Sequence, residues 1–469
     1  MSENQEKIKK PKKESSKKKR LEISASAVID NIVFNKDEVF AYYRVGNRVF
    51  DYLSTVGRVE LAQRTNLAFI NLMEDKRESL DGHFIVTNVP IDLDAWESQV
   101  RETVSNWETS PSFEKYLKEQ KEFLSQEEYM YKITYLGISL GKRGALNFSD
   151  LNILERGFKG ALETLKKWFN QILVIPDHEV SADEERSFRA KEKELYTQLS
   201  TGYLNVEKCN SEELLLLIKR QFYPRMPVPY LDIDHGERLG PGDLDLELYS
   251  SIKNKYRWLE ITQQIGEHTF TGYRACLTLS KFHKFSDYPN QGFPFFYFPA
   301  SLQLPFTMYS RFTLHPSSAM KKQVDKKRME QKDELENMAG ARSAIDNAVS
   351  GTPTDVSDSI ESIQILDEIL TNDKTPWVEG SYRIVVETPR EDVLRKYCSL
   401  VKNEFSGIGI NVTWSSGDQA ELFLEQMPGD RLRIKSFQQL TNINMLGTSG
   451  FNFSSNVGDP IYGSDGEAR

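Results

Sequence analysis

The stretch GISLGKRG (137–144) has the outline of a phosphate loop. A Walker A loop needs four residues between its glycines, so that successive backbone amides wrap the phosphates. A closing Ser or Thr then holds magnesium. Here three residues separate Gly137 from Gly141, and Arg143 stands in the place of the hydroxyl. A strand end with a basic turn fits these residues better than a nucleotide site. ILVIPD (172–177) has the outline of a Walker B strand, but it lacks an upstream phosphate loop, and Pro176 suits a helix exit. Asp232, Asp234 and His235 in YLDIDHGERLGPGD bring ligand chemistry close together, whereas the surrounding Gly and Pro favour a polar turn. His83, His178, His268, His283 and His315 show no HxxH or HExxH spacing, and no GxSxG occurs. KYRWLE (255–260) and KFHKF (281–285) interleave basic and aromatic side chains, as single-strand nucleic-acid platforms do. Half-buried strands and helix faces read the same way. On these grounds no catalytic, cofactor-binding or metal-ligating residue is assigned.

The elements that would position such residues follow from composition and periodicity. The 469 residues suit roughly three domains at about 150 residues each. A hydrophobic share of 39% with 26 Phe and 20 Tyr supports packed cores. The most apolar runs, LLLLI (214–218) and FPFFYFPA (293–300), fall far short of the roughly eighteen residues of a membrane span. Cys209, Cys276 and Cys398 are scattered and odd in number, which suggests reduced thiols in a cytosol. Residues 1–20 carry a net charge of +6, leaving −15 on the remainder. That basic head is expected to be disordered, either as a solubilising tail or as a segment drawn to anionic lipid at about 1 kcal/mol per basic residue.

NIVFNKDEVFAYYRV reads as two strands around the turn Asn35-Lys36-Asp37. Ser54 can cap a helix bearing Val59, Ala62, Phe69, Ile70 and Met73 on one face. HFIVTNV (83–89) and YMYKITYLGISL (129–140) are predicted strands. Trp96, Val100, Val104 and Trp107 recur at helical spacing, as do Phe158, Leu162, Leu165, Phe169 and Ile172. A charged helix is predicted over about 181–200 and another from Ser211. RACLTLSKF (274–282) and SRFTLHP (310–316) are strand candidates, and 317–347 reads as a long charged helix. YRIVVE (382–387) is a strand. Thr388 as N-cap, Pro389 at the first position and Glu391 completing a capping box predict the next helix, and INVTWS (410–415) predicts the strand closing a β-α-β unit.

These signals give an α+β fold. A basic tail (1–22) precedes an α+β domain (23–150), a helical middle (151–230), a strand-rich region (231–316) and a charged helical region (317–375). A ferredoxin-like β-α-β domain (376–446) and a Gly/Ser-rich linker (447–469) complete it.

The order of YLGISLGKRG, FTMYSRFTLHPSSAMKKQVDKKRMEQKDE (306–334), the β-α-β unit, FLEQMPGDR (423–431) and SSNVGDPIYGSDGEAR resembles the N-terminal half of type IV secretion and conjugation ATPases. The resemblance is to the CagE/TrbE/VirB type, in the form carried by Gram-positive conjugative elements. It implies a docking and assembly region leading toward a RecA-like motor domain absent from this chain. ATP and magnesium are implied only for that motor. Implied partners are conjugation channel membrane proteins and copies of the same chain; the basic residues 1–20 add an anionic membrane surface as a candidate, and nucleic acid stays open as the less expected partner. The implied location is cytoplasmic, peripheral to the inner face of the cell membrane. Two alternatives stand beside it: a stand-alone scaffold module, and an enzyme using Asp232, Asp234 and His235. On anionic vesicles, the lipid reading requires the chain to float with the lipid and a form lacking residues 1–20 to stay behind. Equal flotation of both forms would remove the lipid reading.

Overall fold

Alternating apolar residues draw the N-terminal segment into strands. In the computed structural model, β1 (Ala25–Ile29), β2 (Ile32–Asn35) and β3 (Glu38–Val45) form a meander. Its second turn is fixed by the Asn35 side chain, whose Oδ1 accepts from Asp37 N at 2.8 Å. The short β4 (Arg48–Val49) follows, then α1 (Thr55–Met73), begun by Ser54, whose Oγ accepts from Gly57 N at 3.2 Å. Next come β5 (Leu80–Pro90), α2 (Pro111–Gln126), β6 (Met130–Lys142), α3 (Ala182–Thr201), β7 (Val206–Lys208) and α4 (Ser211–Arg220). The second half contains β8 (Ser250–Asn254), β9 (Leu259–Ile265), β10 (His268–Phe282), α5 (Phe298–Ser301), β11 (Phe306–His315) and β12 (Trp377–Thr388). After these lie α6 (Glu391–Gly407), β13 (Ile410–Trp414), α7 (Gln419–Glu425), β14 (Gln439–Asn442), α8 (Asn444–Thr448) and β15 (Phe453–Ser454).

The structure describes residues 24–49, 53–73, 78–90, 97–98, 100–101, 111–126, 130–143, 180–201, 204–226, 250–265, 267–282, 294–301, 306–319, 321 and 375–454. The expected basic tail, the stripe from Phe158 to Ile172, ILVIPD, the Asp232/Asp234/His235 group, most of the charged 317–375 region and residues 455–469 lie outside them.

The fold is α+β. Among the described residues, thirteen strands join one sheet in the order β1-β2-β3-β6-β5-β11-β12-β10-β9-β8, with β7 on β3, β13 on β10 and β14 on β12. The sheet contains the same arrangement twice. β7-β3-β6-β5 and β13-β10-β12-β11 are both fully antiparallel and both follow the 4-1-3-2 order of a split β-α-β, or ferredoxin-like, unit. Each unit is preceded by a hairpin (β1–β2, β8–β9) and followed by a helix (α4, α7). Their equivalent strands β5 and β11 pair antiparallel, with Ile85 opposite Tyr309, so a pseudo-two-fold axis passes between them. Side chains repeat as well. Glu185, Phe188, Arg189, Leu195 and Leu199 of α3 match Glu391, Leu394, Arg395, Val401 and Phe405 of α6 at identical spacing, and Asn205-Val206 matches Asn411-Val412. The i,i+4 ion pairs Glu185–Arg189 (2.9 Å) and Glu391–Arg395 (2.6 Å) recur with them.

One face of the sheet is apolar, with Val39, Tyr43, Phe84, Leu277, Met308, Phe312 and Ile384 in a cluster that takes in buried residues of α1, α3, α6 and α8. On the other face Tyr42, Ile85, Cys276, Tyr309 and Val385 cluster with α4 and α7. Helix α6 differs from the expectation at its start. Thr388 remains a strand residue paired with Tyr273, its hydroxyl donates to Arg390 O at 2.8 Å, and Arg390 is the N-cap without a side-chain capping bond. Sheet pairing of Thr388 outweighed its capping propensity.

Residues 447–454 belong to the apolar face. Phe451 is fully buried and stacks on Phe84 with centroids 4.3 Å apart, its carbonyl accepts from Thr134 Oγ1, and β15 runs parallel to β4. Half-buried Lys132 donates through Nζ to Gly450 O (3.0 Å) and Phe453 O (2.7 Å), and burial pushes its amine down to about 7. Phe451→Ala is expected to destabilise the fold by about 3–5 kcal/mol, read from the chemical denaturation midpoint. An unchanged midpoint would show that this segment is not part of the core.

Candidate functional site

Gly137–Lys142 is the end of β6, a strand flanked by β3 and β5. Gly137, Ile138, Ser139 and Lys142 pair with Tyr42, Ala41, Phe40 and Glu38, and Gly137 and Ile138 also face His83 and Gly82. Gly137 and Ile138 are paired on both sides and the residues after them with β3 alone, so the stretch continues a strand rather than opening a loop before a helix. Arg143 forms an ion pair with Glu184 (2.8 Å) and donates to Asn35 O (3.0 Å) and Ser26 Oγ (3.2 Å). The basic turn thus ties α3 to the first hairpin.

A polar seam is built under α4 and α7, where three sheet arginines are almost fully buried. Arg311 donates from Nε to Glu425 O (3.0 Å) and from Nη2 to Met427 O (2.6 Å), meeting the carbonyls at the end of α7. Arg274 does the same for α4, donating to Gln221 O at 3.1 Å, and it also touches Gln426 and pairs with Glu387 at 3.0 Å. Cations at helix C-termini satisfy both the unpaired carbonyls and the negative end of the dipole. Arg383 pairs with Glu425 at 3.2 Å, both side chains being fully buried, and also donates to Thr278 Oγ1 (2.7 Å) and Ile434 O (2.8 Å). The other Glu425 oxygen accepts from Arg433 N and Ile434 N, each at 2.9 Å.

Beyond α7 the chain crosses onto the first repeat. Gly429, at φ 74, donates to Tyr42 Oη at 2.8 Å, and a Cβ there would overlap Val33. Tyr42 Oη lies 2.9 Å from His83 Nδ1. Burial, and secondarily Arg311, hold the His83 imidazole well below its ordinary value. It is therefore neutral. Reciprocally, Gln263 of β9 donates to Phe222 O at 3.0 Å, just beyond α4. The two crossing segments touch through Phe222 and Phe423, edge to face at 5.2 Å. The seam is held by charge-assisted hydrogen bonds, and its chemistry is structural.

Burial raises all three cysteine thiols, Cys276 to about 11 and Cys398 to about 12, so none is held as a thiolate. His315 lies 2.8 Å from Ser79 Oγ and 3.3 Å from Glu379 Oε2. Among the described residues no three His, Cys, Asp or Glu side chains form a metal-binding group, and no helix is long and apolar enough to cross a membrane.

The basic–aromatic stretches divide. Phe282 packs edge-on against Phe295 (5.3 Å) and Tyr382 (5.7 Å), which makes it core. The KYRW tip of the β8–β9 hairpin reaches the surface. Arg395 lies 4.7 Å over half-buried Trp258, Arg257 lies 5.6 Å over Trp414, and Tyr256 is 65% exposed. Sequence reasoning found this tip by its residue types. It missed the buried arginines, because arginine is ordinarily a surface residue, and it missed the repeat, whose literal traces across α3 and α6 are the Glu-Arg and Asn-Val pairs and Ser200 with Ser406.

Compared with known proteins, the chain matches no protein-family model and no curated protein sequence.

Glu425→Ala strands the Arg383 charge and is expected to cost about 3–5 kcal/mol in urea unfolding. Arg383→Met combined with Glu425→Leu should recover much of that loss. A double variant no better than Glu425→Ala would mean that the pair contributes mainly through Ile434 and Arg433.

Proposed function

We propose that this chain is the docking and assembly region of a conjugative-transfer ATPase of the type IV secretion class, acting as a platform rather than as the motor. The order of sequence segments supports this reading. The observation that carries it is the pairing of residues 137–142 with β3, and of Gly137 and Ile138 with β5 as well, so that the phosphate-loop-like stretch is the end of a strand. A wide sheet with helices on both faces, clamped by buried arginines, suits a part that holds neighbours in fixed relation. In this reading the partners are channel membrane proteins and further copies of the chain, at the cytoplasmic face of the cell membrane. ATP with magnesium serves the motor domain.

Titrating ATP and magnesium into the purified chain is expected to give no saturable binding heat and no phosphate release. In cells carrying the conjugative element, cross-linking should recover the tagged chain with channel membrane proteins, and deleting its coding region should abolish transfer. Saturable ATP binding, or transfer undiminished by the deletion, would overturn the proposal.

A further inference from the structure

The tips of the two equivalent hairpins share an unusual backbone. Asp30 sits at φ 51 and Tyr256 at φ 72, both in the left-handed region. Aspartate tolerates that region, whereas for a bulky ring it is an outlier. In the first repeat the tip is rewarded from within the chain. The Asp30 carboxylate pairs with Arg189 at 2.6 Å, and its carbonyl accepts from Ser211 Oγ at 3.4 Å. In the second repeat Arg395, the counterpart of Arg189, lies over Trp258 instead, and the Tyr256 ring turns to solvent.

The strained conformation is nevertheless held firmly. Tyr256 N donates to Asn254 Oδ1 (3.0 Å), Gly417 N donates to Tyr256 O (2.6 Å), and Lys255 N donates to Trp258 O (2.8 Å). Trp414 Nε1 donates to Arg257 O at 2.6 Å, and Gly417 itself sits at φ 92. The start of α7 and the end of β13 thus brace an exposed aromatic in a costly pose. A rigid Tyr with Arg and Trp beside it has the composition of an interface hot spot.

Charge indicates the kind of partner. Residues 253–260 carry Lys253, Lys255 and Arg257 against Glu260, a net of +2, on a chain whose residues beyond the first twenty sum to −15. Glu260 holds Lys253 at 2.9 Å and Lys255 at 3.3 Å, fixing both ammonium groups beside the tip. The patch is short. Helix α6 begins with Glu391 and Asp392, and Asp418 follows Gly417, so a polyphosphate running off the tip toward either helix meets carboxylates.

We propose that the β8–β9 hairpin tip, headed by Tyr256, docks a short acidic segment of a protein partner. An apolar ring of that segment packs on Tyr256, and its carboxylates meet Lys255 and Arg257. This names a contact within the docking reading above and rests on it.

Fluorescence polarisation with the full chain tests the idea. The probes are a short Asp/Glu-rich peptide with a central Trp, its Lys-rich counterpart and an oligothymidylate. The acidic peptide should bind saturably and best. Tyr256→Gly, which relieves the backbone, should weaken that binding by at least about tenfold while leaving the thermal midpoint equal or higher. Arg257→Glu should also weaken it. Equal peptide affinity in Tyr256→Gly, no saturable binding of the acidic peptide, or tighter binding of the oligothymidylate would each overturn the proposal. Continued cross-linking of the chain to channel proteins in those cases would leave the broader docking reading standing.

Discussion

Three guanidinium groups, those of Arg274, Arg311 and Arg383, are withdrawn from water on one face of the sheet, and the rest of the structure is arranged to meet them. A buried charge is costly unless hydrogen-bonded and paired. Here the acceptors come from the ends of α4 and α7, from Glu425 and from the turn at Ile434. Those helix ends have free carbonyls that need donors, so each side solves the other's problem. This mutual need fixes where α4 and α7 lie.

The same constraint explains why two ferredoxin-like units behave as one slab. Pairing of β5 with β11 alone would leave the halves joined by a single antiparallel contact. The polar seam adds a second connection on one face, and the aromatic cluster of Phe69, Phe84, Phe312 and Phe451 adds a third on the other. A slab braced on both faces can present surface features, such as the hairpin tips, at defined separations. The two units are not identical in what they present. One tip is closed by an internal ion pair, and the other carries an exposed ring.

Much of the local structure was legible in the sequence, because alternation and helical stripes are strong signals wherever one face is buried. Ala62, Phe69 and Met73 on α1 are buried as their spacing predicts, and YMYKITYLGISL is the strand β6. The α+β class and the split β-α-β unit around α6 followed from such signals. The start of α6 was misplaced because Thr388 has two compatible roles, and only the neighbouring strand decides between them. The ferredoxin-like unit of the first half was hidden for a different reason. Buried positions accept any apolar residue of suitable volume, so Phe188 and Leu394, or Leu199 and Phe405, do the same work without looking alike. As for the site, the tip residues were visible by type, but their backbone strain and the bracing from Gly417 and Trp414 exist only in three dimensions.

The crossing of residues 221–226, just beyond α4, onto the second unit and of the 426–430 segment onto the first bears on dissection of the chain. Neither half supplies all of its own cover: α4 packs on β1 and α7 on β10, but the segments beyond them pass to the other half. A fragment ending before β8 would carry a helix whose terminal carbonyls have lost Arg274, while its sheet would have lost the cover supplied by Gly429 and Asp430. Each unit is completed only by the segment that the other sends across, so the two halves are expected to fold as one body.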